Sequence, residues 1–237
     1  MSRKKKVALI ACASALAFIL ILFAVCAIYV SDFYEADDSA TKDMSHVRYL
    51  DDGSIVVGEG PVGFIFYPGG KVESEAYIPL MLDIARAGVT CVIVDMPFKL
   101  AIFDTDKADE IREQLPYVQT WSIGGHSLGG SAASMHIEKS DFDYKALVLL
   151  GSYSTSDLTS ESIEVISIYG SEDEVLNLKK YEKCVANLPD DFTEIVIDGG
   201  SHAQFGAYDE QRGDGSPTIS REEQISLTSS AILKTIK

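Results

Sequence analysis

The chain has 237 residues, of which 46% are hydrophobic and 24% are charged, a composition typical of a globular protein with a full core. Four of its 20 basic residues lie together at positions 3–6, so the rest of the chain carries 16 basic residues against all 36 acidic ones. Such an excess of negative charge repels nucleic-acid phosphates, and we therefore expect no nucleic-acid partner.

The N-terminal segment has the pattern of a membrane-spanning helix. Residues 7–30 are apolar or small almost throughout, which is enough to cross a hydrocarbon core of about 30 Å. Basic residues precede this run and acidic residues follow it, so the positive-inside rule predicts a cytoplasmic N-terminus. We expect a cytoplasmic tail at 1–6, a transmembrane helix at 7–30 and a juxtamembrane spacer at 31–45. The chain would then be a single-pass protein of the cell membrane with its larger part outside the cytoplasm.

Two other interpretations of this segment stay open. A cleavable signal peptide is one, although its apolar core usually has about 7–15 residues. Lipid attachment at Cys26 is the other, although Val25 is larger than the small residue that such sites prefer. Cys12 and Cys26 are interpreted most simply as thiols within the membrane. Cys91 and Cys184 are predicted to be free and buried, and cysteine spacing offers no metal site.

The rest of the chain, 46–237, alternates short apolar runs with longer helical patterns. An opening hairpin is predicted at the turn Asp51-Asp52-Gly53. Predicted strands cover 46–50, 54–57, 62–67, 89–94, 146–150, 165–169 and 194–197, and a further short apolar run leads into the Gly-x-Ser-x-Gly sequence that begins at Gly125. Predicted helices cover 74–87, 105–115, 131–139, 176–188 and 222–236. This alternation predicts one α/β domain with a mainly parallel, doubly wound sheet, whose ligands bind at the carboxyl ends of the strands.

The pentapeptide Gly125-His126-Ser127-Leu128-Gly129 lies between a short apolar run and a predicted helix. A Gly-x-Ser-x-Gly sequence in that context is typical of a nucleophile elbow, a tight strand-to-helix turn that exposes a serine hydroxyl above the sheet. Glycine is expected where a side chain would collide with the neighbouring strand or helix. The pentapeptide also occurs in ordinary loops, so the interpretation requires an acid and a base elsewhere.

Two later loops supply those partners. Asp173 follows the strand at 165–169 and His202 follows the strand at 194–197, so the chain order is serine, acid, histidine. Because a serine hydroxyl is a poor nucleophile at neutral pH, a histidine must take its proton and a carboxylate must orient the histidine. Each residue alone has a structural interpretation, and Asp173 could simply cap a helix. Alternative acids are Glu172, Glu174 and Asp198. Together, Ser127, Asp173 and His202 predict a catalytic triad.

A triad of this type also needs two backbone N–H groups to stabilise an oxyanion. Leu128, directly after the serine, is expected to supply one of them. Gly70, in the loop after the strand at 62–67, is expected to supply the other, with Lys71 as the next choice. A simple tight turn is the alternative for this loop. His126 and His136 are predicted to be structural, with the side chain of His126 directed away from the serine.

These residues resemble the α/β-hydrolase superfamily, above all its compact dienelactone-hydrolase-like and carboxylesterase-like members. The resemblance covers about residues 47–237. It is carried by YPGGKVESEAYIPL (67–80), VDMPFKLAIF (94–103), GGHSLGG (124–130), LLGSYS (149–154), GSEDEV (170–175) and GGSHAQFGAYDEQRGDG (199–215). It implies an α/β-hydrolase fold and a serine hydrolase with its triad at Ser127, Asp173 and His202. Dienelactone hydrolases use a cysteine nucleophile, so the serine favours ordinary esters of small or medium acyl groups. No cofactor is expected.

The binding cleft is expected to be open, because the segment 152–163 is too short for a helical lid domain. Candidate substrate contacts are Lys71, Phe98, Phe103, Tyr153, Phe205 and Tyr208. For the aromatic residues the alternative is packing beneath the loops, and Lys71 and Lys99 would suit an anionic substrate. Two alternatives to ester hydrolysis stay open: acyl transfer to an envelope acceptor, and a non-catalytic binding module on the same fold. The sequence leaves the oligomeric state open.

Overall fold

A computed structural model describes residues 2–237 of the chain. The chain divides into two compact units, one ending at Phe33 and the other covering Tyr34–Lys237.

The first unit is a single helix, α1 (Arg3–Ser31), whose N-terminus is capped by the hydroxyl of Ser2. Its most apolar window has a mean hydropathy of 2.9, and none of the side chains that the structure describes there is buried. So much exposed apolar surface is unfavourable in water. By length and composition the helix can cross a membrane, a property that it shares with N-terminal signal sequences.

The second unit is built on one sheet of eight strands. Their bounds are β1 (Val47–Tyr49), β2 (Ile55–Val57), β3 (Val62–Tyr67), β4 (Val89–Ile93), β5 (Thr120–His126), β6 (Ala146–Leu150), β7 (Glu164–Gly170) and β8 (Thr193–Ile197). The spatial order is β1-β2-β4-β3-β5-β6-β7-β8. Strands β3 to β8 are parallel, whereas β1 and β2 pair in antiparallel fashion at one edge. The predicted mainly parallel sheet is confirmed.

Helices cover both faces of this sheet, as expected for a doubly wound fold. They are α2 (Ile78–Ala85), α3 (Lys107–Gln114), α4 (Leu128–Ile137), α5 (Leu178–Cys184) and α6 (Arg221–Ile236). The side chains of β3 alternate between the two faces: Phe64 and Phe66 pack in the core with α2 and α6, whereas Ile65 and Tyr67 pack in the core with α3 and α4. Only irregular chain joins β6 to β7, so no lid domain is present in the described residues.

The four cysteines, all within the described residues, are free. Cys91 lies buried in β4, and burial raises the pKa of its thiol. Cys184 is only half-buried, which corrects the expectation that both thiols of this unit are buried.

Part of the segment assigned to a spacer from sequence pairs with the rest of the second unit. Tyr34 forms an isolated parallel bridge with Val72, and Ala36 forms an antiparallel bridge with Tyr208. Ala40 is buried. The acidic and polar composition of residues 31–45 carries no periodic signal of this pairing.

Candidate active site

Ser127 occupies the turn between the end of β5 and the start of α4. Its backbone has φ 51° and ψ −120°, a conformation that costs a non-glycine residue about 1–3 kcal/mol. The surrounding structure holds it there: the N–H of Ser127 donates to the Leu150 carbonyl at 2.9 Å, and the Ser152 hydroxyl donates to the Ser127 carbonyl at 2.7 Å. The serine is therefore fixed in the geometry of a nucleophile elbow.

The two glycines of the pentapeptide are required by close contacts between main-chain segments. A Cβ atom on Gly125 would lie 2.5 Å from the carbonyl carbon of Gly129 and 2.6 Å from the carbonyl oxygen of Tyr67. A Cβ atom on Gly129 would lie 2.1 Å from the same Tyr67 oxygen. Since backbone atoms cannot yield as a flexible side chain can, only glycine fits at either position.

His202 follows β8 and lies against a buried carboxylate. Its Nδ1 is 2.8 Å from Oδ2 of Asp173, and both side chains are buried. The other oxygen, Oδ1, accepts hydrogen bonds from the N–H groups of Val175 at 3.0 Å and Leu176 at 2.7 Å. Asp173 therefore caps the following turn and also orients the histidine. Neutral His202 then carries its proton on Nδ1 and presents Nε2 as an acceptor.

Ser127 and His202 line the same cavity, of about 210 Å³, beyond the carboxyl ends of β5, β6 and β7. Its other lining residues are Leu128, Ser131, Gly151, Ser152, Tyr153, Val175, Leu176 and Asn177. Within residues 2–237, Nε2 of His202 has no hydrogen-bond partner. A base in this arrangement is available to the hydroxyl of a nucleophile or to a bound substrate.

Gly70 lies in the loop that follows β3, here called the glycine loop (residues 68–73), and packs against Leu128. A Cβ atom on Gly70 would be 3.1 Å from Cδ2 of Leu128. The neighbouring amides are engaged elsewhere: the N–H of Gly69 donates to the Tyr77 hydroxyl at 3.0 Å, and the N–H of Lys71 donates to the Lys99 carbonyl at 2.8 Å. Lys71 is thus a poor second choice as oxyanion donor. Among the described residues, no group accepts from the N–H of Gly70 or Leu128.

A strained serine at a strand-to-helix turn, beside a buried histidine–carboxylate pair, points to one family. Residues 63–226 match the sequence model described as the alpha/beta hydrolase family, which is more than half of the chain. The chain belongs to the alpha/beta hydrolase family. A search of curated proteins found no match.

Solved structures of alpha/beta hydrolases share the fold at low sequence identity. Est1E from Butyrivibrio proteoclasticus is 15% identical, with 81% of this chain and 99% of that chain covered and a TM-score of 0.58. A dienelactone hydrolase from Anabaena variabilis is 14% identical, with 81% and 100% covered and a TM-score of 0.59. The esterase domain of a Rhodothermus marinus protein is 11% identical, with 79% and 95% covered and a TM-score of 0.56. At such identities the likeness establishes the fold.

A second histidine of this hydrolase lies directly beside the first. The ring centroid of His126 is 4.4 Å from that of His202. Nδ1 of His126 is 2.9 Å from the Tyr77 hydroxyl, which already accepts the N–H of Gly69. Because that hydroxyl has one proton to donate, Nδ1 accepts it and the neutral ring carries its own proton on Nε2. Burial, and then the proximity of His202, hold the pKa of His126 well below its ordinary value. His126 therefore packs against the ring of His202 and is linked to the glycine loop through the Tyr77 hydroxyl.

The neutral state of His126 predicts a loss of stability in mild acid. Below about pH 6.5 the unfolded chain binds a proton at this residue that the folded chain does not, so the free energy of unfolding falls with pH by up to about 1.4 kcal/mol per unit. His126→Asn keeps an acceptor for the Tyr77 hydroxyl but cannot be protonated. Urea unfolding between about pH 7 and pH 5 should show a flatter pH dependence for this variant. The exposed His46 provides the control, since His46→Asn should keep the wild-type dependence. Equal slopes in the His126→Asn variant and the wild type would contradict the assignment.

The structure separates the predicted substrate contacts into three groups. Tyr153 lines the cavity, and Lys71 lies half-buried in the glycine loop. Phe98 is 63% exposed and adopts a positive φ of 57°. Phe205 and Tyr208 are buried in the core, which matches the alternative of packing beneath the loops that the sequence left open for the aromatic residues. Their rings pack against other rings, with centroids 5.5 Å from His126 for Phe205 and 5.7 Å from Tyr34 for Tyr208.

Two residues that sequence reasoning missed hold the loop carrying His202, here called the histidine loop (residues 199–215). The carboxylate of Asp214 accepts from the N–H groups of His202 at 3.2 Å and Ala203 at 2.8 Å. The buried amide of Gln224 accepts from the N–H of Ser201 at 3.0 Å and donates to its carbonyl at 2.8 Å. The position of Asp214 between Gly213 and Gly215 could have indicated that its carboxylate bonds to nearby main chain. The sequence around Gln224, a residue of α6, gives no indication of its contact with Ser201.

Proposed function

We propose that this protein is a serine hydrolase that cleaves carboxylic esters of small or medium acyl groups. Ser127 is the nucleophile, His202 the general base and Asp173 the residue that orients the histidine. The observation that carries the proposal is the positive φ of Ser127, in a turn that lines one cavity together with His202. Backbone strain of this kind clusters at active sites. The esterases among the structural neighbours add support.

The proposed reaction passes through an acyl enzyme. The Ser127 hydroxyl attacks the ester carbonyl while Nε2 of His202 takes its proton, and the negative oxygen is stabilised by the N–H groups of Gly70 and Leu128. The tetrahedral intermediate expels the alcohol, which receives the proton from His202. Water then attacks the acyl enzyme with the same histidine as base, and Ser127 is regenerated. The hydrogen bond between Ser127 and His202 forms when substrate binds, as is common for catalytic contacts that are loose in the free enzyme.

Substrate contacts are proposed on both sides of the serine. Tyr153 and Leu176 line the small cavity beside it, which suits one short group of the ester. Phe98 and Phe103 form an exposed edge-to-face pair with centroids 5.9 Å apart, on a segment whose Leu100 side chain approaches Gly70. This pair suits the apolar part of the other group. Lys71, in the glycine loop, is the proposed contact for an anionic substituent.

Membrane attachment is proposed through α1. Residues 7–30 are long and apolar enough to cross a membrane, and we propose that they remain as an uncleaved single-pass anchor. The proposed orientation has the N-terminus in the cytoplasm and the hydrolase outside it, because the basic cluster at 3–6 and the acidic residues after the helix favour it.

Labelling with a fluorophosphonate probe tests the proposal, because the probe reacts with a serine that has been activated by a base. We expect the full chain in detergent to be labelled at Ser127 and to hydrolyse p-nitrophenyl esters of short acyl groups. A folded protein that is neither labelled nor active would refute the proposal and favour a binding module. Adding an alcohol acceptor during turnover distinguishes hydrolysis from acyl transfer. Free carboxylic acid as the main product supports the hydrolase, and the ester of the added alcohol as the main product contradicts a hydrolase.

A further inference from the structure

Residues 34–40, here called the strap, contact both loops that surround the candidate active site. On one side the strap pairs with the glycine loop. The N–H of Tyr34 donates to the Lys71 carbonyl at 2.7 Å, and the N–H of Glu73 donates back to the Tyr34 carbonyl at 3.0 Å. The N–H of Ala36 donates to the carboxylate of Glu73 at 2.9 Å. Three hydrogen bonds therefore fix the strap to the chain that directly follows Gly70.

The hydrogen bonds from the strap restrain the glycine loop at a point where its backbone is strained. Lys71 in the glycine loop has a φ of 63°, and Phe98 and Lys99, in the segment that contacts this loop, have φ values of 57° and 56°. The N–H of Lys71 donates to the Lys99 carbonyl, and the Lys99 ammonium lies 3.7 Å from the Glu73 carboxylate that also accepts from Ala36. Left-handed conformations of non-glycine residues persist only where neighbouring groups over-determine them. The strap supplies part of that restraint.

On the other side the strap pairs with the histidine loop. The N–H of Asp37 donates to the Ala207 carbonyl at 2.9 Å, and the N–H of Arg212 donates to the Tyr34 hydroxyl at 3.2 Å. Arg221 on α6 fastens the junction, since its guanidinium is paired with the Asp37 carboxylate and donates to the Tyr208 carbonyl at 2.9 Å. These contacts lie within the stretch of loop that leads to Asp214, which holds the main chain of His202.

We propose that the strap positions the oxyanion donor Gly70 relative to the base His202, so that residues a short distance after α1 in the chain set the catalytic rate. The proposal rests on the proposed function for the roles of those two residues. The strap touches no reacting atom, so its residues act as positioning residues. Because catalysis depends on donor and base positions to within a fraction of an ångström, a loosened strap lowers turnover more than it weakens substrate binding.

Substitutions in the full chain test this. Tyr34→Ala removes the ring contact with Tyr208 and the acceptor for Arg212, and Glu73→Ala removes the acceptor for Ala36. Glu73→Gln keeps that acceptor and is the conservative rescue. Tyr117→Ala is the matched control, because Tyr117 is an exposed tyrosine just before β5, at the opposite end of the strands from the site.

Two readouts are needed, hydrogen exchange of the loop amides and ester kinetics. We expect Tyr34→Ala and Glu73→Ala to speed exchange about tenfold in both the glycine loop and the histidine loop. We expect kcat to fall about tenfold with KM changed by less than about threefold, and Glu73→Gln and Tyr117→Ala to stay near wild type. Unchanged exchange in the two loops, or faster exchange with unchanged kcat, would overturn the proposal. Absence of turnover in the wild type would refute the proposed function instead, while the exchange data would still decide whether the strap holds the loops.

Discussion

Replacing Ser127 with alanine is expected to lower ester turnover by about four orders of magnitude or more while the protein stays folded. The hydroxyl is the only group at this position that can form the acyl enzyme, and what remains of catalysis comes from the oxyanion donors and from binding. The measurement is turnover of a p-nitrophenyl ester, with circular dichroism as the check on folding. Ser122→Ala is a matched control, because Ser122 is a buried serine on β5, the strand that leads to Ser127.

The same position carries an expectation about stability. Ser127→Gly should be as inactive as the alanine variant but more stable than it by about 1 kcal/mol. Glycine adopts a φ of 51° without strain, and this gain is partly offset by its greater freedom in the unfolded chain. Thermal unfolding of the two variants side by side measures the difference. A glycine variant no more stable than the alanine variant would contradict the claim that the backbone at Ser127 is strained. Wild-type turnover in either variant would show that Ser127 is not the nucleophile.

Much of this fold could be predicted because its central strands are continuous apolar runs. Strands β3 and β6 have the predicted bounds, since buried parallel strands need apolar side chains on both faces and end at glycine or proline. Helix boundaries were harder. The pattern at 74–87 predicted one helix, whereas a 3-10 turn at Ser74–Tyr77 precedes α2, with Pro79 in the first turn of α2 where proline is tolerated.

Helix α4 shows why local propensity misled at the site itself. It was expected from residue 131, and glycines such as Gly129 and Gly130 disfavour a helix in isolation. It begins at Leu128, since those glycines let the helix approach neighbouring chain: a Cβ atom on Gly130 would lie 2.6 Å from the Ser152 hydroxyl. The close packing that the elbow needs therefore overrides helix propensity.

What sequence could not supply is the support around the candidate site. Order along the chain suffices to propose Ser127, Asp173 and His202, because parallel strands bring their carboxyl ends to one edge. The strap contacts residues far from it in sequence, largely through main-chain hydrogen bonds. Every residue type except proline can form such bonds, so the sequence of side chains does not predict them. Phe205 and Tyr208 show a second limit of sequence reasoning. The identity of an aromatic residue in a loop does not indicate whether its ring faces substrate or packs beneath the loop.

Asp173→Asn is expected to lower kcat by about three to four orders of magnitude, although it changes one atom. Oδ1 of an asparagine can still accept from the N–H groups of Val175 and Leu176, which keeps the turn intact. Its amide then directs an N–H toward Nδ1 of His202, where the carboxylate Oδ2 now lies at 2.8 Å. Nδ1 is forced to accept, so the ring carries its proton on Nε2 and cannot take the proton of Ser127.

Variants of the neighbouring acids make this prediction specific. Glu172→Gln and Asp198→Asn should leave kcat within a few-fold of wild type, because among the four candidate acids only Asp173 is hydrogen bonded to His202 in the described residues. The rate of fluorophosphonate labelling should fall in parallel with kcat in Asp173→Asn, since both reactions need His202 as base. A larger loss of kcat in Asp198→Asn than in Asp173→Asn would show that Asp198 is the residue that orients His202. Slow turnover with labelling at the wild-type rate would place the defect after attack by Ser127, in the release of the acyl group.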